Sequence, residues 1–204
     1  MNWISKKPLQ AGLLADALTS FRTPSCRSLA EGYLTLLERS GRAIPQKNDL
    51  DLANFVTAMP HLALVAITKP DKCIYRIIGQ RLRERLGVPK GSNYYDFVPM
   101  ERRQHAARAM HMVIEQPCAF RAEIRQVYQG GKHIWIEATG FPLRSEEPGV
   151  DGFILFADQQ IERQTDCHHD GSSLETADLV HRELIDLGFG VDHSFEDMVR
   201  ASVE

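Results

Sequence analysis

The chain has 204 residues, 43% of them hydrophobic and 25% charged, enough to bury a core without disulfides or metal. Its formal net charge of -3 offers no basic field for a phosphate backbone, so nucleic-acid binding is not expected. No apolar run approaches the roughly 20 residues that span a bilayer and the N-terminus shows no secretory cleavage pattern, so the expected location is the cytoplasm, with no membrane partner.

Leu13, Leu14, Ala17, Leu18 and Phe21 suggest a short amphipathic helix that breaks before Pro24. Ser28 and Glu31 form a capping-box pair, and Leu29, Tyr33, Leu36 and Leu37 then share a helical face until Gly41 stops it. That face is a candidate interface for a two-fold homodimer. A polar loop and Pro60 precede two strand-like runs, His61 to Thr68 and Cys73 to Gly79. Lys69-Pro70-Asp71-Lys72 between them is turn chemistry, which predicts a hairpin.

A short charged helix from Gln80 to Leu86 ends at Gly87, and a longer helix spans Pro99 to Gln116. Three strand-like runs follow: Phe120 to Tyr128, His133 to Leu143 and Gly152 to Ile161. Gly130-Gly131 joins the first two as a hairpin turn that needs positive φ. In the second, Ile134, Ile136 and Ala138 alternate with Trp135, Glu137 and Thr139, so one face would line a pocket and the other receive a flanking helix. From Gln164 the composition turns polar; beyond it Ser172 and Glu175 form a capping box, and Ala177, Val180, Leu184 and Leu187 make a helical stripe ending at Gly188. A last short helix is expected from Ser194 to Val203. The fold class predicted is α+β: a five-stranded antiparallel sheet with helices on one face, plus N- and C-terminal helical extensions. The divisions expected are an extension over 1–23, a central domain over 24–163 and a linker with a helical tail over 164–204.

Two strands, short helices, one longer helix and three strands is an order that resembles the PAS fold. The details resemble the PAS family widespread as single-domain proteins in alphaproteobacteria. They are Ile44-Pro45 with Asp49-Leu50-Asp51, Met59-Pro60-His61-Leu62 entering the first strand, Tyr75-Arg76-Ile77-Ile78-Gly79 with Leu82, Glu84, Arg85 and Gly87 behind it, and Pro142-Leu143. The resemblance covers about Leu29 to Ile161 and implies a sensory domain with a pocket between sheet and helices, in cytoplasmic signal transduction. It names no ligand and no cofactor.

Enzyme motifs are missing: there is no phosphate-binding glycine loop after a strand, no HExxH and no GxSxG. The expectation is therefore a binding module, not an enzyme. Candidate pocket residues are Tyr75, Tyr94, Tyr95, Phe97, Met110, His111, Ile114 and Phe153, with Arg76 as an anion anchor or one half of a structural ion pair. A core filled by these side chains is the competing reading. Haem-binding PAS proteins use a histidine on the long helix, where this chain has His105 and His111, and His111 has the inward register. A hydrogen-bonded or solvated histidine is the commoner case. The cysteine motif of flavin-binding photosensors has no match. The four cysteines, Cys26, Cys73, Cys118 and Cys167, show no CxxC spacing and read as reduced thiols. Asp166-Cys167-His168-His169 reads as a solvated tail, since adjacent residues rarely converge on one metal ion. Arg81, Arg83, Arg85, Arg102, Arg103 and Arg108 read as solvated helix faces. Partners expected are a small molecule, a signalling protein and a second copy of the chain. A ligand-free adaptor acting through the tail helices is the alternative.

Overall fold

The computed structural model describes residues 14, 17–69, 71–161 and 174–191. Six strands form one antiparallel sheet: β1 Leu62–Thr68, β2 Lys72–Ile78, β3 Cys118–Tyr128, β4 His133–Leu143, β5 Gly152–Gln160 and β6 Leu174–Asp186. Their spatial order is β2-β1-β5-β4-β3-β6. Among the described residues these α-helices accompany them: α1 Pro24–Ser40, α2 Gln80–Leu86 and α3 Met100–Glu115. The fold is α+β as expected, but the sheet has six strands rather than five, and helices cover both of its faces.

The two-sided cover follows from the alternation in β1. Leu62, Leu64 and Ala66 face α1, with Phe141, Phe153 and Leu155 beside them. Ala63, Val65 and Ile67 face the other way, with Tyr75, Ile154 and residues of α2 and α3. A strand buried on both faces is apolar throughout.

Helix α1 begins a turn earlier than the Ser28 capping box suggests. Pro24 occupies its first turn, where a missing N–H does no harm, and Gly41 closes it at φ 62. Leu29, Tyr33, Leu36 and Leu37 lie on one face, all buried inside the chain's own core. The Tyr33 ring stacks on Phe141 at 4.6 Å and its hydroxyl donates to the Pro142 carbonyl at 2.7 Å. The expected dimer face is therefore already occupied. Charged residues at Leu36 and Leu37 should unfold the protein rather than yield a folded monomer, since each would bury an uncompensated charge. Circular dichroism of the double variant checks this, and a native spectrum from it would refute the packing argument.

The largest departure is β6. The spacing of Ala177, Val180, Leu184 and Leu187 is helical, yet the segment is an edge strand paired with β3. The register slips between Glu123↔His181 and Ile124↔Leu179, leaving Val180 as the extra, exposed residue. A bulge of this kind shifts the alternation by one position. Ala177 and Leu179 before it, and Arg182 and Leu184 after it, thereby share one face of the sheet, so Ala177 and Leu184 end up together at the seven-residue separation of a helical face, while Leu187 packs in the opposite cluster. The predicted helix over Ser194–Val203 and the Asp166–His169 cluster lie outside the described residues. Among the described residues no helix is long and apolar enough to cross a membrane, and no group of side chains has metal-site geometry.

Candidate functional site

A cavity of about 360 Å³ lies between the sheet and helices α2 and α3. Its floor is set by register. Asp158 on β5 pairs with Ala138 on β4, Ala138 with Ala122 on β3, and Ala122 with Arg182 on β6. One row across four strands therefore reads acid, alanine, alanine, base. The two alanines leave space that larger residues would fill, which is why the cavity opens above them. Five aromatic side chains, Tyr75, Tyr94, Phe97, Phe120 and Phe156, form much of the remaining wall, together with Met110 of α3. Tyr75 lies 6.2 Å from Phe156 and 6.5 Å from Tyr94 between ring centroids. Apolar walls with few polar groups are the usual composition of a small-molecule site, and the volume falls at the lower end of the usual range.

The polar groups gather at the two ends of the row. At one, Arg85 of α2 pairs with Asp158 and donates to Gln126 Oε1 at 2.5 Å. The Tyr128 hydroxyl donates to the same oxygen at 2.8 Å. Burial raises the Asp158 carboxyl above its ordinary range, and the Arg85 guanidinium pulls it back down. At the other end are Arg182, His105 and Arg102, and Glu101 also lines the cavity. Burial lowers the His105 imidazole, and Arg182, Arg108 and Arg102 push it further in the same direction. Burial also lowers the Arg182 guanidinium, with Tyr94 and Cys118 acting oppositely. Arg102 pairs with Asp178 at 3.4 Å.

Of the residues singled out from the sequence, Tyr75, Tyr94, Phe97 and Met110 line this cavity. The others lie elsewhere. Arg76 is half-exposed and 3.7 Å from Glu147 at the surface; a register shift between Leu64 and Val65 breaks the alternation that put it on a buried face. Tyr95 is buried beside Tyr94 without reaching the cavity. His111 turns back onto its own helix, Nδ1 3.1 Å from the Ala107 carbonyl and Nε2 3.7 Å from Asp151, so the inward position expected for a haem ligand is not its own. Ile114 packs on Gly152. Phe153 belongs to the opposite face, under α1.

Sequence reasoning missed Asp158, Gln126 and Arg182, and of the two histidines on the long helix it gave the inward register to His111, whereas it is His105 that lines the cavity. An aspartate directly after the apolar run Phe153–Ala157 was a readable signal for Asp158, and it calls for a cation. Arg85, grouped with solvated arginines, is that cation and is itself buried. Nothing local marked Arg182, because its place depends on the bulge in β6.

Residues 70–157 match the PAS fold family model, which supports a PAS domain over that stretch. The chain is also similar to several solved structures. A fungal LOV domain photoreceptor is 18% identical over 62% of this chain and 88% of that one, with a TM-score of 0.39. The PAS domain of a protein from Colwellia psychrerythraea is 19% identical over 54% and 96%, with a TM-score of 0.37. Drosophila melanogaster Cycle PAS-B with bound ethylene glycol is 14% identical over 48% and 98%, with a TM-score of 0.35. At such low identity and TM-score these likenesses carry no functional assignment. No curated protein matches the chain.

Proposed function

We propose that this chain is a PAS-type sensory domain that binds a small molecule in the cavity between sheet and helices and relays that event to a signalling partner in the cytoplasm, without catalysing a reaction. The observation that carries the reading is the cavity itself: about 360 Å³ over a floor of two paired alanines, with buried polar groups at both ends. A core optimised for stability alone would close such a space, because each unfilled void weakens packing.

Native mass spectrometry of the freshly purified protein tests this. The expected result is a reproducible extra mass that is lost on denaturation. Ala138→Phe places a ring over the floor and should abolish that mass while leaving the chain folded. An extra mass that persists unchanged in the folded Ala138→Phe variant would place the ligand elsewhere. A bare wild-type chain that also takes up no added ligand would overturn the reading.

Residues 174–186 form the edge strand and a wall of the cavity, so truncation at Ser172 would remove part of the domain along with any partner-binding segment.

A further inference from the structure

Resting on the proposed ligand-binding reading, we infer that the occupant is an uncharged aromatic alcohol of the phenol type, its hydroxyl held between Asp158 and Gln126 and its rings over Ala138 and Ala122. The polar end of the cavity beneath α2 is built around one guanidinium. Arg85 gives one terminal nitrogen to Asp158 Oδ1 and the other to Gln126 Oε1. Asp158 and Gln126 are 6% and 3% exposed, and both line the cavity.

That guanidinium decides what each side chain can offer an occupant. Arg85 has donors only, so it must meet the amide oxygen of Gln126 and not the amide nitrogen. The Tyr128 hydroxyl donates to the same oxygen. An amide oxygen has two lone pairs, and both are taken. What Gln126 retains for the cavity is its Nε2 amide, a donor. Asp158 is the converse. Arg85 takes Oδ1, and among the described residues Oδ2 has no hydrogen-bonding partner. An ionised carboxylate oxygen only accepts. A donor and an acceptor therefore stand side by side, both fixed by one cation. A hydroxyl satisfies the two at once, donating to Asp158 and accepting from Gln126. A carboxylate or phenolate brings no proton for Asp158, and a hydrocarbon leaves both buried groups unpaired, which is unfavourable.

The aromatic body follows from the floor and walls. Asp158, Ala138 and Ala122 occupy one row on three neighbouring strands. Strands lie about 4.8 Å apart, so the row from the acid to the second alanine runs roughly 10 Å. Two fused rings cover that length. Tyr75, Phe120 and Phe156 stand around the floor, and their rings can pack edge-to-face or offset on a flat ligand.

Calorimetric titration with three probes of one ring system tests the inference: naphthol, its methyl ether and naphthalene. Naphthol should bind at least about tenfold tighter than either of the others, since it alone can donate to Asp158. Gln126→Glu keeps acceptors for Arg85 and Tyr128 but replaces the amide donor by a second acceptor. It should weaken the ether, whose oxygen then faces another oxygen, by about fivefold or more and leave naphthalene unchanged. A merely structural role for Gln126 would weaken all three alike. The wild-type ranking decides by itself if that variant fails to fold. Equal binding of naphthol and its ether, or an equal loss of all three probes in Gln126→Glu, would overturn the hydroxyl inference and leave the cavity reading intact. Failure of all three to bind the folded wild-type protein would overturn it as well, and the cavity reading falls with it only where the native protein carries no extra mass.

Discussion

Replacing Glu137 by alanine is expected to lower the unfolding free energy by about 3–5 kcal/mol, the usual effect of breaking a buried charge pair from one side. Glu137 is completely buried on the α1 face of β4. Its carboxylate accepts from the Arg121 Nε at 2.7 Å, from the Thr23 backbone N–H at 2.7 Å and from the Thr23 hydroxyl at 2.8 Å. The Arg22 backbone N–H reaches both oxygens at 3.0 Å. These donors come from β3 and from the residues that lead into α1, so one side chain fastens the helix entrance to the sheet. Alanine would leave Arg121, itself 8% exposed, as a buried cation whose remaining carboxylate neighbour among the described residues is the half-exposed Glu183 at 3.8 Å. It would also strip partners from backbone donors at the helix start, where no intrahelical acceptor exists. A urea unfolding midpoint reads the change directly. For a domain of ordinary stability, about 5–15 kcal/mol, the variant would be near the edge of folding. A loss below about 1 kcal/mol, the range of exposed ion pairs, would show that the clasp is not what holds α1 in place.

The second large effect is expected from Arg85→Met. It removes the cation from the buried pair with Asp158 and leaves a carboxylate beside apolar cavity walls, again a loss of about 3–5 kcal/mol near neutral pH. This loss should depend on pH in a definite direction. Burial already holds the Asp158 carboxyl above its ordinary range, opposed by Arg85. A carboxyl whose pKa is higher in the folded than in the unfolded state contributes its stability at low pH. That contribution fades as pH rises from the unfolded value toward the folded one. Without Arg85 the folded value climbs further, so the window of loss extends upward. The variant should therefore be most destabilised at neutral pH and recover toward wild type as pH falls into the ordinary carboxylate range. Denaturation curves across that interval check the sign; a deficit that grows on acidification would contradict the assignment. Because Asp158 and Gln126 also line the cavity, the same network ties the last turn of α2 to the cavity wall.

Much of this architecture is legible in the chain. Helix α1 with its stop at Gly41, the β1–β2 hairpin, helices α2 and α3, and β3 to β5 joined through Gly130-Gly131 all follow from periodicity and turn chemistry, because those signals reside in neighbouring residues. Four cavity residues were reachable in the same way, since an aromatic cluster near Tyr94 and a helical face carrying Met110 are local patterns. β6 was not reachable. Its bulge at Val180 counterfeits helical spacing, and only pairing with β3 decides between the two readings. Arg182 comes into register with Ala122, Ala138 and Asp158 through contacts among four strands that are distant in sequence.

The same division separates Arg76 from Arg85. Both are arginines near apolar neighbours, but a register shift in the β1–β2 pair turns the first outward, and a carboxylate more than seventy residues away draws the second inward. Local sequence by itself determined which segments become helix or strand where the signal is periodic and uninterrupted. Tertiary structure alone decided which faces meet, where the alternation slips and which charges end up paired, because burial and ion pairing depend on distances between segments that no local pattern specifies.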